Sequence, residues 1–241
     1  MSSAPTDGTA PAPGRAGAVL SAAAVAVGCV LFLGAFVLAA LFYRPYAVPT
    51  GSMAPTVDAG ARVLAERIDG GQVRRGDVVV FEDAQWGGMP MIKRVVGVGG
   101  DEVACCDARG RLTVDGTPVD EPYVAGTASA AAFRTTVPEG TLFLLGDSRG
   151  ESVDSRALLA DGGHGAVPRD AVRARVDGAV WPLGSAGALE RPGGFAALPG
   201  GVSEPGPLRA LTWALGAGAA LVLGGAAYGP VARRAGRRQR P

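Results

Sequence analysis

The sequence has one lysine, Lys93, and one histidine, His164, in 241 residues; its other 22 basic residues are all arginine. With one histidine and no cysteine pair at ligand spacing among Cys29, Cys105 and Cys106, no zinc or other metal site is expected. The adjacent Cys105 and Cys106 leave both a vicinal disulfide and two thiols open. A formal net charge of +1, with no long basic block in the middle of the chain, speaks against nucleic acid as a main partner. No amphipathic helix of convincing length appears between residues 44 and 183. What is abundant is glycine (38) and proline (18), which favours a loop-rich β body over a helical bundle.

Two long stretches carry no charge. Residues 16–43 are long enough for a transmembrane helix, which needs about 20 apolar residues, and longer than the core of a cleaved signal peptide. A retained anchor is therefore expected, with Phe42, Tyr43 and Tyr46 suited to an interfacial aromatic belt. Residues 210–232 are Ala/Gly-rich and read as a second span. Five arginines follow in residues 233–241 and should stay cytoplasmic. Two spans put both termini on that side and the intervening body outside. Residues 1–15 read as a disordered cytoplasmic tail, and 184–209 as a Gly/Pro-rich linker. In 44–183, β-rich runs at 62–65, 78–81, 91–98, 111–114, 141–145 and 172–180 are separated by Gly, Asp and Pro turns, including the hairpin signal Asp115-Gly116. The expected fold is mainly β: an antiparallel domain outside the membrane, held by one or two helices.

The lone lysine points to chemistry. Arginine stays protonated in proteins, whereas a buried lysine can lose its proton and act as a base. Lys93 lies in the apolar run Met91-Ile92-Lys93-Arg94-Val95-Val96. Strict alternation places Met91, Lys93 and Val95 on one face and Ile92, Arg94 and Val96 on the other. Such company desolvates the amine and lowers its pKa. Ser52, in Pro49-Thr50-Gly51-Ser52-Met53-Ala54-Pro55-Thr56, is the candidate nucleophile. A serine hydroxyl is weak without a base, and a Ser–Lys dyad is an alternative to the Ser–His arrangement. Eight residue steps from Arg44 to Ser52 reach at most roughly 28 Å, so the nucleophile should work near the membrane surface.

These segments resemble the bacterial type I signal peptidases. Pro49 through Thr56 is similar to that family's nucleophile box, and Arg75-Gly76-Asp77-Val78-Val79-Val80-Phe81 to the strand box that follows. Ile92-Lys93-Arg94-Val95-Val96-Gly97, with Gly100-Asp101, is similar to the lysine box. Gly146-Asp147-Ser148-Arg149-Gly150-Glu151-Ser152-Val153-Asp154-Ser155-Arg156 is similar to the last box, although the family usually has asparagine where Ser148 stands. The resemblance implies Ser52 as nucleophile and Lys93 as general base. It implies Ser152 as the residue that orients the lysine, and an oxyanion hole from the Ser52 N–H and the Thr50 hydroxyl. Asp154 and Arg156 would form a supporting ion pair, Asp147 and Arg149 would order the loop, and Met53 would contact substrate or membrane.

The activity so implied is serine endopeptidase cleavage of signal peptides from exported preproteins, after small residues at Ala-x-Ala type sites. The protein would sit in the cell membrane as a multi-pass protein with its catalytic domain extracytoplasmic. Its partners would be signal peptides and the lipid bilayer, and it would need no cofactor. Self-cleaving repressors share the dyad but carry a DNA-binding module, and eukaryotic-type signal peptidases place histidine where Lys93 stands. An inactive membrane-anchored binding module of the same fold is the alternative from a different class. Intact Ser52, Lys93 and Ser152 argue against it.

Overall fold

A computed structural model of the chain describes residues 13–124 and 126–238. They form two units, one of helices and one, residues 42–208, of β structure. Most of the expected tail at 1–15 and the last residues of the basic tail at 233–241 lie outside the described residues.

The helical unit holds α1 (Pro13–Phe42) and α2 (Leu208–Arg238). Within them, Ala16–Phe42 and Leu208–Val231 are long and apolar enough to cross a membrane, with mean hydropathies of 2.7 and 1.6. The two helices run antiparallel, because partners early in α1 meet residues late in α2. The Ser21 hydroxyl donates to the Gly225 carbonyl at 2.7 Å. A side chain on Gly28 would strike the Gly218 carbonyl and Leu221, and one on Gly218 would strike the backbone of Phe32. Small residues let helix backbones approach where lipid tails remove the hydrophobic drive for association.

The β unit contains β1 (Tyr43–Ala47), β2 (Arg62–Glu66), β3 (Val78–Phe81), β4 (Met91–Val98), β5 (Glu102–Cys105) and β6 (Leu112–Val114). It continues through β7 (Thr117–Pro118), β8 (Phe133–Thr136), β9 (Thr141–Leu145), β10 (Val167–Pro168), β11 (Val172–Trp181) and β12 (Gly187–Ala188). The larger sheet has the order β1-β2-β11-β3-β4-β9-β10, with β12 on β11; the smaller is β7-β6-β5-β8. Their pairings are antiparallel. β-Branched runs such as Val78-Val79-Val80 are buried on both faces, which explains their continuous apolar character rather than alternation.

One apolar cluster joins the sheets through Val96, Val103, Leu112, Val114, Phe143 and Leu145. A second lies under β2, β3 and β11 with Val63, Val78, Val80, Ala174 and Val176. Cys105 and Cys106, at the end of β5, are joined as a vicinal disulfide.

Two expectations need correction here. Residues 184–209 do not form a free linker: Phe195 and Leu198 are buried in the cluster between the sheets, and Arg191 pairs with Asp177 at 2.5 Å. Their apolar side chains are too few and too irregularly spaced to show as an element, yet Phe195 and Leu198 fill core positions. Tyr43 does not face a lipid interface. It is buried, and its hydroxyl donates to Asp177 Oδ2 at 2.8 Å, since a buried phenol needs a polar partner.

Candidate active site

The loop between β1 and β2 carries Ser52. It is closed at its base by Val48 N–H donating to the Ala61 carbonyl (2.9 Å) and Gly60 N–H to the Val48 carbonyl (2.7 Å). Val48, Met53, Val57 and Ala61 are buried beneath it. Burying these side chains in an irregular loop fixes where the intervening serine projects. Met53 is therefore a correction: it is 0% exposed and packs in the cluster with Val57, Val63 and Val80, so it is an anchor of the loop rather than a contact for substrate or membrane.

Lys93 comes from the middle of β4, paired with Val79 of β3. Its neighbour Arg94 is opposite Leu145, the last residue of β9. The residue facing Lys93 across this antiparallel pair is thus Gly146, where the chain leaves the sheet. A side chain at Gly146 would run into Ser152 and the Ser52 carbonyl. The glycine gives the Ser52 loop and the 146–156 loop room to meet beside the lysine.

The structure brings Ser52 and Lys93 into contact, with Lys93 Nζ 2.9 Å from Ser52 Oγ. Lys93 is 4% exposed. Burial pushes its pKa below the ordinary lysine value, opposed by the negative charges of Asp154 and Asp147. Each of those charges has its own cation. Asp147 accepts from Arg94 Nε at 2.8 Å and Nη2 at 2.6 Å, and from the Thr56 hydroxyl at 2.6 Å. Asp154 accepts from Arg156 Nε and Nη2, both at 2.8 Å. With the carboxylates neutralised in place, desolvation dominates at the amine.

Asp154 has a second task at the outer edge of β9. β10 is only two residues long, so the β9 backbone beyond it lacks a strand partner. The Leu144 N–H donates to Ser155 Oγ at 2.9 Å and the Gly146 N–H to Asp154 Oδ2 at 3.0 Å. Side chains thereby satisfy backbone donors that would otherwise be buried unpaired.

Thr50 and Ser152 are placed differently from each other. The Thr50 hydroxyl donates to Ser52 Oγ at 3.4 Å, so it stands beside the candidate nucleophile. Ser152 Oγ lies against Gly146, buried and without a hydrogen-bond partner among the described residues, and it is not bonded to Lys93. The Ser148 N–H donates to the Ser52 carbonyl at 3.1 Å. That contact uses only the backbone of Ser148, so serine in place of the family's asparagine leaves it intact. His164 is an exposed turn residue with φ 53°.

Sequence reasoning missed Thr56, Glu121 and Tyr123, and gave Arg94 no role. Arg149 Nη2 pairs with Glu121 Oε1 at 2.6 Å, with both side chains buried. The Arg94 guanidinium lies over the Tyr123 ring, 3.9 Å from its centroid. No local pattern marks these contacts, since they join residues 28 positions apart or more through loops. Arg75, in the second box, is buried and pairs with Asp101 (Nε to Oδ2, 2.7 Å), tying the second box to the third. Among the described residues no His/Cys/Asp/Glu group is arranged to hold a metal ion.

A part-buried serine–lysine contact with two compensated carboxylates can deliver one proton at a time between a hydroxyl and an amine, which is what acyl transfer requires. The sequence model of the family described as signal peptidase, peptidase S26, matches residues 19–181. The chain is similar to signal peptidase I U of Bacillus subtilis, 31% identical over 132 residues, covering 50% of this chain and 69% of that protein. It is similar to signal peptidase I of Mycobacterium tuberculosis (strain H37Rv), 30% identical over 225 residues, covering 71% of this chain and 76% of that one. A solved signal peptidase I from Enterococcus faecalis V583 shares 28% identity over 42% of this chain and 94% of its own, with a TM-score of 0.36.

Proposed function

The chain belongs to the signal peptidase family, peptidase S26, and from that premise we propose that it removes N-terminal signal peptides from exported preproteins by a Ser–Lys acyl-enzyme mechanism, cutting after small residues at Ala-x-Ala type sites. The observation that carries the mechanism is the 2.9 Å contact between Ser52 Oγ and a buried Lys93 amine.

In the proposed cycle, neutral Lys93 takes the proton of Ser52 as its oxygen bonds to the scissile carbonyl carbon. The carbonyl π electrons move onto oxygen, where the Ser52 N–H and the Thr50 hydroxyl donate to the developing charge. Thr50 needs only to turn its hydroxyl from Ser52 Oγ toward that oxygen. Such donors are commonly worth about 10²–10³ in rate. Collapse of the tetrahedral species breaks the C–N bond, and Lys93 returns the proton to the leaving amine. Water then attacks the ester with Lys93 again as base, and the released serine recovers its proton. In this reading Ser152 is a base-orienting residue that reaches Lys93 only once substrate orders the site. Its unpartnered, buried hydroxyl leaves it free for that bond.

The same reading makes the protein a multi-pass membrane protein with its catalytic domain outside. Support comes from two helices of spanning length, their direct packing, and the arginines that follow the second. The test is incubation of the purified full chain with a preprotein bearing an Ala-x-Ala site. A single cut after the second alanine, abolished by Ser52→Ala, is expected. A folded wild type that leaves the preprotein intact, or a Ser52→Ala variant that cuts it equally, would refute the assignment.

A further inference from the structure

The segment between β7 and β8 has no assigned part in the chemistry, yet it touches both arginines that hold the active-site loops. Arg94 directly follows Lys93; its guanidinium donates along one edge to the Asp147 carboxylate and lies with its face over the Tyr123 ring. Arg149 lies two residues after Asp147. It donates from Nε to the Gly146 carbonyl at 2.9 Å and from Nη1 to the Ala128 carbonyl at 3.1 Å. Its guanidinium also grips Glu121 at 2.6 and 3.0 Å. Glu121 in turn accepts the Tyr123 hydroxyl proton at 2.7 Å. One short turn, closed by Val124 N–H donating to the Glu121 carbonyl at 3.0 Å, therefore presents a ring to one arginine and a carboxylate to the other.

We infer that Tyr123 and Glu121 are positioning residues for the Ser52–Lys93 pair, bracing Arg94 and Arg149 so that the 146–152 loop stays seated beneath the nucleophile. The inference rests on the proposed Ser–Lys mechanism. The path is short and made of named contacts. Tyr123 holds Arg94, Arg94 holds Asp147, and the Ser148 N–H next to it holds the Ser52 carbonyl. Glu121 holds Arg149, which holds the Gly146 carbonyl directly across from Lys93. A buried guanidinium with an aromatic ring on its face and a carboxylate along its edge keeps a fixed plane, because the two partners constrain different directions of it.

The brace also has an electrostatic consequence. The charged groups acting on Lys93 are Asp154 and Asp147, compensated by Arg156 and Arg94 respectively. If Arg94 loses its aromatic backing and drifts from Asp147, the uncompensated carboxylate favours the lysine cation. The base then titrates at higher pH.

The test compares wild type, Tyr123→Phe, Tyr123→Leu and Glu121→Gln full chains in cleavage of the same preprotein over a range of pH. Tyr123→Phe keeps the ring and should remain within about 3-fold of wild type. Tyr123→Leu should lose kcat by about 10-fold or more, the scale of a desolvated cation–π contact, with KM little changed. Its acidic limb of kcat/KM should move to higher pH. Glu121→Gln should lower kcat without that pH shift, because Arg94 and Asp147 keep each other. A merely structural role would lower the active fraction and thermal stability while leaving pH limb and KM where they were, and that result would overturn the inference. So would a folded Tyr123→Leu with wild-type kcat and pH limb. Should Tyr123→Leu fail to fold, a Glu121→Gln enzyme with unchanged kcat overturns it. Cleavage by wild type, lost in Ser52→Ala, confirms the underlying reading separately, so its failure is told apart from failure of the brace.

Discussion

The Ser148 N–H donates to the Ser52 carbonyl across 3.1 Å, which fixes the Ser52 loop to the loop that leaves β9. The hinge of this arrangement is Gly146, whose α-carbon has no room for a methyl group beside Ser152 and the Ser52 carbonyl. Gly146→Ala is expected to push the two loops apart by a fraction of an ångström to an ångström. Displacements of that size cost about 10²-fold in rate. A cleavage assay should show that loss, with a smaller fall in thermal stability.

Met53 supplies a second test, because its neighbour Ser52 tempts one to place it at the substrate. Burial at 0% exposure instead predicts a packing effect. Met53→Ala should destabilise the β unit by about 2–5 kcal/mol, the usual cost of a large-to-small change in a core. KM of the folded fraction should change little. Denaturant unfolding alongside kinetics separates the two.

Arg94 and Asp147 form an ion pair whose side chains are 3% and 0% exposed. Removing one partner leaves a buried charge, which costs about 3–5 kcal/mol. Arg94→Met should therefore be severely destabilising. The double variant Arg94→Met/Asp147→Leu should recover part of the loss, as measured by chemical denaturation.

The pH dependence follows from Lys93. Its pKa lies below the ordinary lysine value of 10.5, with burial as the leading cause. Activity should rise with pH as the amine loses its proton, with the acidic limb below that ordinary value. Between the folded and unfolded pKa values the unfolded chain binds the extra proton, so this group's contribution to stability also rises with pH through that window. Asp154 opposes the shift. Asp154→Asn should move the limb to lower pH, while its rate falls because the Arg156 pair is broken.

The strands at 78–81, 91–98 and 141–145 were legible as dense apolar, β-branched runs bounded by turns. β5 and β8 were not: Glu102-Val103-Ala104-Cys105 and Phe133-Arg134-Thr135-Thr136 are four residues each, with polar members that give no distinct period. Ser52 and Lys93 could be singled out by residue chemistry. Their 41-residue separation gives no geometric clue, and distance came only with the sheet. The burial of Met53 and Tyr43 was not legible, because periodicity says which side faces inward only within regular elements, and the contact expected of Met53 came from the resemblance alone. Met53 lies in a turn and Tyr43 at a helix–strand junction. The Tyr123–Arg94 stack was invisible for a related reason: its partners come from a loop and a strand whose meeting depends on how the two sheets pack.

The central claim is that neutral Lys93 activates Ser52. The most direct measurement is the rate at which an acylating inhibitor modifies Ser52, followed by intact mass and peptide mapping, in wild type and in Lys93→Arg. Arginine keeps the positive charge and comparable reach but does not give up its proton. The account predicts stoichiometric labelling of wild type at Ser52, faster as pH rises, and labelling of folded Lys93→Arg slower by at least about 10²-fold. Comparable labelling of both proteins, or modification at another residue, would contradict it.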